Sequence, residues 1–248
     1  MDLLDGDIVL VAGVTGRVGG ATLRLLADES ARVIVLARSD ESAQAAIGAN
    51  VSGDARSQVS HVVADLLDPV STDRAVDEAF KKHGRLDAVV SLAGRGKFVP
   101  LVESTVEDLR LNVDGFLVCA YNLALSALRR MLAQPIREGR QSRGHIVMVT
   151  AGSSQDPQPR FGLFGSAKAG VNILMRAIAR EHKGDGIVAN AVVLGGVATE
   201  AARRYLSPED FATAASPAEV ARVLAFLASS RSSGINGELI DLNAREVV

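Results

Sequence analysis

Short apolar runs alternate with longer amphipathic segments from one end of the chain to the other. The apolar runs are rich in Val, Ile, Leu and Ala, a composition typical of strands buried on both faces. They predict seven strands, at Ile8–Ala12, Arg32–Ala37, His61–Ala64, Ala88–Ser91, His145–Thr150, Val188–Val193 and Leu239–Leu242. The segments between them predict helices at Gly19–Ala27, Pro69–Lys82, Val106–Leu132, Gly162–His182 and Ala218–Ser229. This order predicts an α/β fold, a doubly wound parallel sheet of about seven strands in a three-layer α/β/α arrangement.

Local signals agree with this division of the chain. Asp68-Pro69 and Ser216-Pro217 each place a capping side chain before a proline that suits the first helical position. The polar stretch Arg137–Gly144 predicts a surface loop rather than a linker. Because 248 residues fit one fold of this kind, residues 1–248 are predicted to form a single domain.

Composition narrows the classes of partner. The chain is 48% hydrophobic and 4% aromatic, with a net charge of −2 and scattered Lys and Arg, so neither nucleic acid nor an anionic membrane is an expected partner. Cys119 is the single cysteine, which excludes an intrachain disulfide. The acidic start Met1–Asp7 and the break at Gly13 fit neither a signal peptide nor a membrane span. We therefore expect a cytoplasmic protein with a small-molecule partner. No metal site is expected from the four histidines, which lack ligand spacing: His61, His83, His145 and His182.

A glycine-rich turn follows the first predicted strand. Gly13, Gly16 and Gly19 are spaced to allow a tight turn, close approach of a pyrophosphate and close packing of helix on strand. The amino end of the following helix adds free N–H groups for phosphates. A turn without a ligand would have the same spacing, but the position between strand and helix favours a dinucleotide. The predicted contacts are Gly13, Thr15, Gly16, Arg17 and Val18.

The end of the second predicted strand indicates which dinucleotide is bound. NAD-preferring folds of the Rossmann type place an acidic residue here for the ribose 2′-hydroxyl, and Ala37 cannot play that part. Arg38 follows it, and Arg38, Ser39 and Arg17 are predicted around a 2′-phosphate. The alternative is that both arginines are solvated surface residues. The pattern favours NADP(H).

With these elements in place, the chain resembles the short-chain dehydrogenase/reductase family over nearly its whole length. Asp65 and Leu66 resemble the family's adenine-contacting segment, and Ala93-Gly94 resembles the segment that abuts the cofactor. Asn112 is similar to the asparagine that perturbs the long central helix and holds a water of the proton relay. For Asp65, a role as a polar turn residue stays open.

Later segments extend the resemblance. Residues 190–199 are similar to the segment after the sixth strand, which implies that Gly195, Val197 and Thr199 contact the nicotinamide end of the cofactor. A small substrate lid is expected near 199–215. Segments Ser216–Ala221 and Gly234–Glu238 resemble the last helix and strand, which in the family often form a dimer or tetramer interface, so the resemblance implies a homodimer or homotetramer.

The resemblance breaks at the active-site motif. Phe164 and Lys168 keep the family's Tyr-x-x-x-Lys spacing with phenylalanine in the tyrosine position. Ala151 stands thirteen residues before Phe164, where the family has its catalytic serine. The spacing of some enoyl reductases would place the tyrosine at position 161, which is also phenylalanine. Of the four expected catalytic groups, Asn112 and Lys168 remain, and only the cofactor-binding role of Lys168 survives.

Four other hydroxyl groups are candidates to replace those of the family's tyrosine and serine. Ser153 and Ser154 closely follow Ala151, and Tyr121 and Tyr205 are the two tyrosines of the chain, Tyr205 within the expected lid. Packing or solvated polarity is the favoured interpretation for each, because active-site geometry tolerates little displacement.

These observations predict an NADP(H)-binding protein of the oxidoreductase type with impaired or atypical carbonyl and alcohol chemistry. A hydride transferred to a carbonyl leaves an alkoxide, and a phenyl ring has no proton to donate to it. If the protein is active, the proton comes from the substrate, water or Lys168. Two alternatives stay open: a catalytically silent sensor or partner subunit, and a non-redox lyase, isomerase or cyclase that uses the same pocket.

Overall fold

The predicted parallel sheet is present, with seven strands in one layer. The computed structural model of the protein describes residues 3–200, 202–204 and 206–242. The strand order is β3-β2-β1-β4-β5-β6-β7, and every neighbouring pair is parallel. The strands are β1 (Ile8–Ala12), β2 (Arg32–Ala37), β3 (Val59–Val63), β4 (Ala88–Ser91), β5 (Gly144–Ala151), β6 (Ile187–Leu194) and β7 (Leu239–Leu242). This is the predicted doubly wound α/β fold.

Eight α-helices occur in the described part of the chain. They are α1 (Arg17–Asp28), α2 (Asp40–Asn50), α3 (Pro69–His83), α4 (Val106–Asn112), α5 (Cys119–Ala133), α6 (Gly162–Glu181), α7 (Pro208–Thr213) and α8 (Pro217–Ala228). The caps predicted for α3 and α8 are present, since Asp68 and Ser216 accept hydrogen bonds from Val70 and Glu219 N–H groups.

Two α-helices were missing from the prediction: α7, which lies in the segment expected to form a substrate lid, and α2. The inner face of α2 consists of Ala43, Ala46 and Ile47, and the intervening Gln44 and Ala45 are exposed. Small alanine side chains give a weak apolar stripe, so the periodicity of 40–50 is faint in the sequence. The Ser39 side chain caps this helix by accepting the Ser42 N–H.

The long helix predicted at Val106–Leu132 is interrupted. Between α4 and α5 the chain forms a π-helical turn, Val113–Val118. The helical stretch 106–133 is long and apolar enough to cross a membrane by length and composition, but 61% of its most apolar window is buried inside the protein. It therefore has the burial of a core helix.

Two aliphatic cores lie on opposite faces of the sheet, as expected when helices cover both sides. One lies under α3, α5 and α6 and includes Leu10, Leu123 and Met175; the other lies under α1, α2 and α8. The strand order reverses at β1, since β2 and β3 follow on one side of it and β4 to β7 lie on the other. Folds of this kind bind ligands beyond the carboxyl ends of the strands at such a reversal, so the region after β1, β2 and β4 is the expected site.

Candidate functional site

The three glycines of the turn after β1 have different structural roles. Gly13 has φ +86°, and a Cβ atom there would lie 2.5 Å from the Ala93 nitrogen. A Cβ at Gly19 would lie 2.1 Å from the Gly13 carbonyl oxygen. At Gly16 no heavy atom lies within 4 Å of such a Cβ. Gly13 and Gly19 are therefore needed for close packing, while Gly16 leaves an open space at the surface.

That open space lies at the amino end of α1. Gly16 is the N-cap and has no side chain to satisfy the first turn. The first bond of the helix joins the Gly20 N–H to the Gly16 carbonyl oxygen at 2.8 Å. Helix geometry leaves the preceding N–H groups, those of Arg17, Val18 and Gly19, without intrahelical partners. Such an end binds phosphate groups.

A first cleft of about 370 Å³ lies beyond the ends of β1 to β4. Its walls combine the glycine turn with the loops that follow the other three strands. Among its lining residues are Gly13, Thr15, Gly16, Ala37, Arg38, Ser42, Asp65, Leu66, Leu92, Ala93, Gly94, Arg95, Gly115 and Cys119. Most of the predicted cofactor contacts thus meet in one place.

A second cleft of about 330 Å³ lies on the other side of the glycine turn, where Arg17, Val18 and Gly19 face Thr199 and Glu200. Gly13 and Gly16 line both clefts, so the two are adjacent. Arg17 and Arg38 were assigned to the same phosphate from the sequence, but they line different clefts. Of the two, Arg38 lies at the end of β2, where a 2′-phosphate is expected.

Three other predicted contacts have structural partners of their own. Ser39 lies outside both linings as the cap of α2. Val197 forms a parallel bridge with Ala215, and the Gly195 N–H donates to the Leu242 carbonyl oxygen at 3.1 Å. Val197 and Gly195 therefore anchor the base of the predicted lid, which contains α7. Tyr205 lies outside the described residues.

Asp65 has the turn role that the sequence left open, and it also lines the first cleft. Its Oδ1 accepts the Leu67 N–H at 3.0 Å, which closes a tight turn after β3. The side chain is exposed and lines the first cleft.

Asn112 lies at the last turn of α4, directly before the π-helical turn. Its Nδ2 donates to the carbonyl oxygens of Asp108, at 2.9 Å, and Lys97, at 3.2 Å. Its Oδ1 is buried and has no hydrogen-bond partner within the described chain. Asn112 therefore ties α4 to the loop after β4 and keeps one free acceptor.

Phe164 packs in a cluster of four phenyl rings. Its ring centroid lies 4.9 Å from that of Phe116, 5.2 Å from Phe98 and 6.1 Å from Phe161, each in an edge-on arrangement. Phe98 and Phe161 are themselves 4.7 Å apart. Aromatic contacts thus stabilise the side chain at the position where the resemblance implies a tyrosine.

Lys168 lies one helical turn further along α6. Its Nζ donates to the Val149 carbonyl oxygen at 2.8 Å and lies 4.6 Å from the centroid of Phe116 and 5.9 Å from that of Phe164. No carboxylate pairs with it among the residues that the structure describes. Burial lowers the pKa of the Lys168 ammonium to about 8, because desolvation disfavours its charged form.

The segment after Ala151 contains Ser153 and Ser154, the two serines considered as replacements for the family's catalytic serine. The Ser154 hydroxyl accepts from the Asn172 Nδ2 at 2.8 Å. The Ser153 hydroxyl is buried and has no partner within the described residues. The Ser153 carbonyl oxygen lies so close to α6 that a Cβ at Gly165 would be 2.2 Å from it, which holds this segment firmly against the helix. Tyr121 is 48% exposed on α5.

Sequence reasoning missed several members of the first cleft. Arg95 follows Gly94 directly and could have been found from its position in the same loop. Ser42 could not, because α2 was not predicted, and Cys119 and Gly115 reach the cleft through the π-helical turn.

Comparison with known proteins places this geometry in a family. Residues 7–210 match the model of the short chain dehydrogenase family. A reductase of Mycobacterium tuberculosis, the (5R,7aS)-5-hydroxy-7a-methyl-1-oxo-2,3,5,6,7,7a-hexahydro-1H-indene-carboxyl-CoA reductase, is 31% identical over 98% of this chain and 94% of its own length.

Solved structures show the same fold. A short chain dehydrogenase from Mycobacterium smegmatis has a TM-score of 0.82 and is 28% identical, covering 99% of this chain and 95% of its own. A Tyr-to-Phe variant of ElxO with NADPH bound has a TM-score of 0.85 at 24% identity, covering 96% and 97%. By its match over most of the sequence, the chain belongs to the short-chain dehydrogenase family, an oxidoreductase family that binds nicotinamide cofactors.

Proposed function

We propose that the protein binds NADP(H) along its two clefts and turns over ordinary carbonyl and alcohol substrates very slowly. The observation that carries this proposal is the contrast between two parts of the site. The cofactor side keeps its open Gly16 space, the helix end and Arg38. The proton-transfer side holds Phe164, locked among three other rings, and Ala151.

The residues of the clefts fit a phosphorylated dinucleotide. The free N–H groups at the start of α1 suit the pyrophosphate, and the exposed Arg38 guanidinium at the end of β2 suits a 2′-phosphate. Ala37 offers no carboxylate for a 2′-hydroxyl. We therefore propose NADP(H) over NAD(H).

The chemistry follows from what the remaining side chains can do. A reduced nicotinamide, when bound, would supply a hydride, and the substrate carbonyl oxygen would then need a proton and a hydrogen-bond donor from the protein. Phe164 offers neither, and Ala151 cannot donate to the oxygen. A positioned acid is worth about 10²–10⁴ in rate, so the loss predicts slow turnover. Lys168 is the remaining cationic donor, but its Nζ is bonded to Val149 and covered by Phe116.

Fluorescence titration tests the cofactor proposal. We expect saturable NADPH binding that is at least ten-fold tighter than NADH binding, and Arg38→Ala is expected to remove most of this difference. Arg110→Ala, on the exposed side of α4 and outside both clefts, is the matched control. Absent binding, or equal binding of both nucleotides, would overturn the proposal.

A second experiment tests the slow chemistry. A panel of aldehydes, ketones and alcohols is followed by absorbance at 340 nm with saturating cofactor. We expect turnover below about 0.1 per second, roughly 10²-fold under the median enzyme. Rapid reduction of any simple carbonyl substrate would show that another group supplies the proton.

A further inference from the structure

We infer that Arg95 is an additional cofactor-binding residue of this chain, and that its guanidinium stacks on the adenine ring. This inference rests on the proposed function, since it concerns the same cleft. It adds a contact that the family motifs of the sequence did not indicate, next to Ala93 and Gly94.

Arg95 has a free side chain on a fixed main chain. Its N–H donates to the Gly115 carbonyl oxygen at 3.3 Å. A Cβ at Gly115 would lie 2.0 Å from the Arg95 carbonyl oxygen, and a Cβ at Gly94 would lie 2.4 Å from the Phe116 ring. The loop therefore lies directly on the π-helical turn. The exposed guanidinium makes no hydrogen bond or ion pair within the described residues, and it lines the first cleft.

The sheet order separates Arg95 from Arg38. Arg38 follows β2 and Arg95 follows β4, and these strands lie on either side of β1. Arg38 and Arg95 therefore line the first cleft from loops on opposite sides of β1. Arg38 is close to the start of α2 and to Ser42, whereas Arg95 is close to Gly115 and Cys119. One phosphate is thus not expected to engage both.

The surroundings of Arg95 suit an uncharged ring better than a second phosphate. Asp65 lines the same cleft, and its carboxylate disfavours a further negative charge there. Burial raises the pKa of Cys119 to about 11, so this thiol is neutral. Leu66 and Ala93 add apolar surface. A planar guanidinium beside such a surface can stack on a purine face.

The test compares three variants by titration with NADPH, NADH and 2′,5′-ADP. Arg95→Ala is expected to weaken all three by a similar factor, about 2- to 5-fold, a range consistent with an exposed cation–π contact. Arg95→Lys keeps the charge but loses the plane, and it is expected to resemble Arg95→Ala. Arg38→Ala is expected to weaken NADPH and 2′,5′-ADP while leaving NADH nearly unchanged.

Each other outcome has a defined meaning. Unchanged affinities in Arg95→Ala would overturn the inference while leaving NADP(H) binding in place. A loss confined to NADPH and 2′,5′-ADP, rescued by Arg95→Lys, would make Arg95 a phosphate ligand and overturn stacking. If the unaltered protein binds none of the three nucleotides, the proposed function fails first. Arg110→Ala again serves as the control.

Discussion

The Lys168 ammonium lies over the face of Phe116, 4.6 Å from the ring centroid, while it donates to the Val149 carbonyl oxygen. The ring face and the carbonyl dipole both favour positive charge. Burial opposes them and lowers the pKa of Lys168 to about 8. Lys168 is therefore a buried cation whose contacts, among the residues described, are all with neutral groups. Such an arrangement lowers the stability of a protein, and it is common at functional sites.

Replacing Lys168 by methionine should stabilise the protein but weaken its binding of NADPH. We expect the free energy of unfolding at pH 7 to rise by about 1–3 kcal/mol, because an unpaired buried charge is removed, while the affinity for NADPH falls. Urea denaturation and nucleotide titration measure the two effects. Lys82→Met, at an exposed position of α3, should change neither. A less stable Lys168→Met protein would contradict this prediction, because it would mean that the contacts with Phe116 and the Val149 carbonyl fully offset the cost of burying the ammonium.

The same lysine predicts a pH dependence. In the unfolded chain a lysine keeps its proton up to its ordinary pKa of 10.5, whereas folded Lys168 releases it near pH 8. Between these values the unfolded state binds more protons, so stability rises with pH. The advantage of Lys168→Met over the unaltered protein should therefore shrink from pH 8 to pH 10. A constant advantage over this range would contradict the lowered pKa.

Two glycines of the turn after β1 form a matched pair. Gly13→Ala should destabilise the protein by several kcal/mol, because the new Cβ meets Ala93 and the backbone has φ +86°. Gly16→Ala meets no protein atom within 4 Å, so its stability should change by less than about 1 kcal/mol. NADPH binding should nevertheless fall at least ten-fold, because the methyl group enters the open space. Thermal melts with and without NADPH distinguish the effects, and unchanged NADPH affinity in Gly16→Ala would mean that this space is not the phosphate site.

Much of the fold and part of the site could be predicted from the sequence, because buried parallel strands appear in a sequence as continuous apolar runs. All seven strands and the glycine turn were found in this way. Helix α2 was missed since its buried face is mostly alanine. An apolar helix pattern continues through the π-helical turn, so periodicity did not show it, but the resemblance at Asn112 implied a perturbed helix at this place. The phenyl cluster was also missed: Phe98, Phe116 and Phe164 come from a loop, the π-helical turn and α6, and only the packed fold brings them together.

His145 at the start of β5 predicts a loss of stability in acid. Its Nδ1 is bonded to the Leu227 carbonyl oxygen at 3.1 Å and its Nε2 to the Ser142 hydroxyl at 2.7 Å, which suits a neutral ring with the proton on Nδ1. Burial lowers the pKa of His145 from 6.5 to about 4. Between these values the unfolded state binds more protons, so stability falls as the pH drops, by about 3 kcal/mol in total.

Urea denaturation from pH 7 to pH 4.5 measures this slope. In His145→Gln the slope should be clearly smaller, whatever its stability at pH 7. His182→Gln, near the surface beside Asp185, should keep the slope of the unaltered protein. An identical slope in the His145→Gln protein would assign the acid sensitivity to other groups.

Introducing the two hydroxyl groups that the family resemblance implies tests the proposed slow turnover. The double change Phe164→Tyr and Ala151→Ser should raise NADPH-dependent carbonyl reduction by at least 10²-fold, because a positioned acid and an oxygen-stabilising donor are each worth about that much. Each single change should give much less, since groups that act as a unit are not additive. Phe98→Tyr is the matched control, because it places a phenol in the same ring cluster on the loop after β4. If the double variant binds NADPH normally and stays as slow as Phe98→Tyr, position 164 does not face the reacting carbonyl, and the proposed cause of slow turnover is wrong.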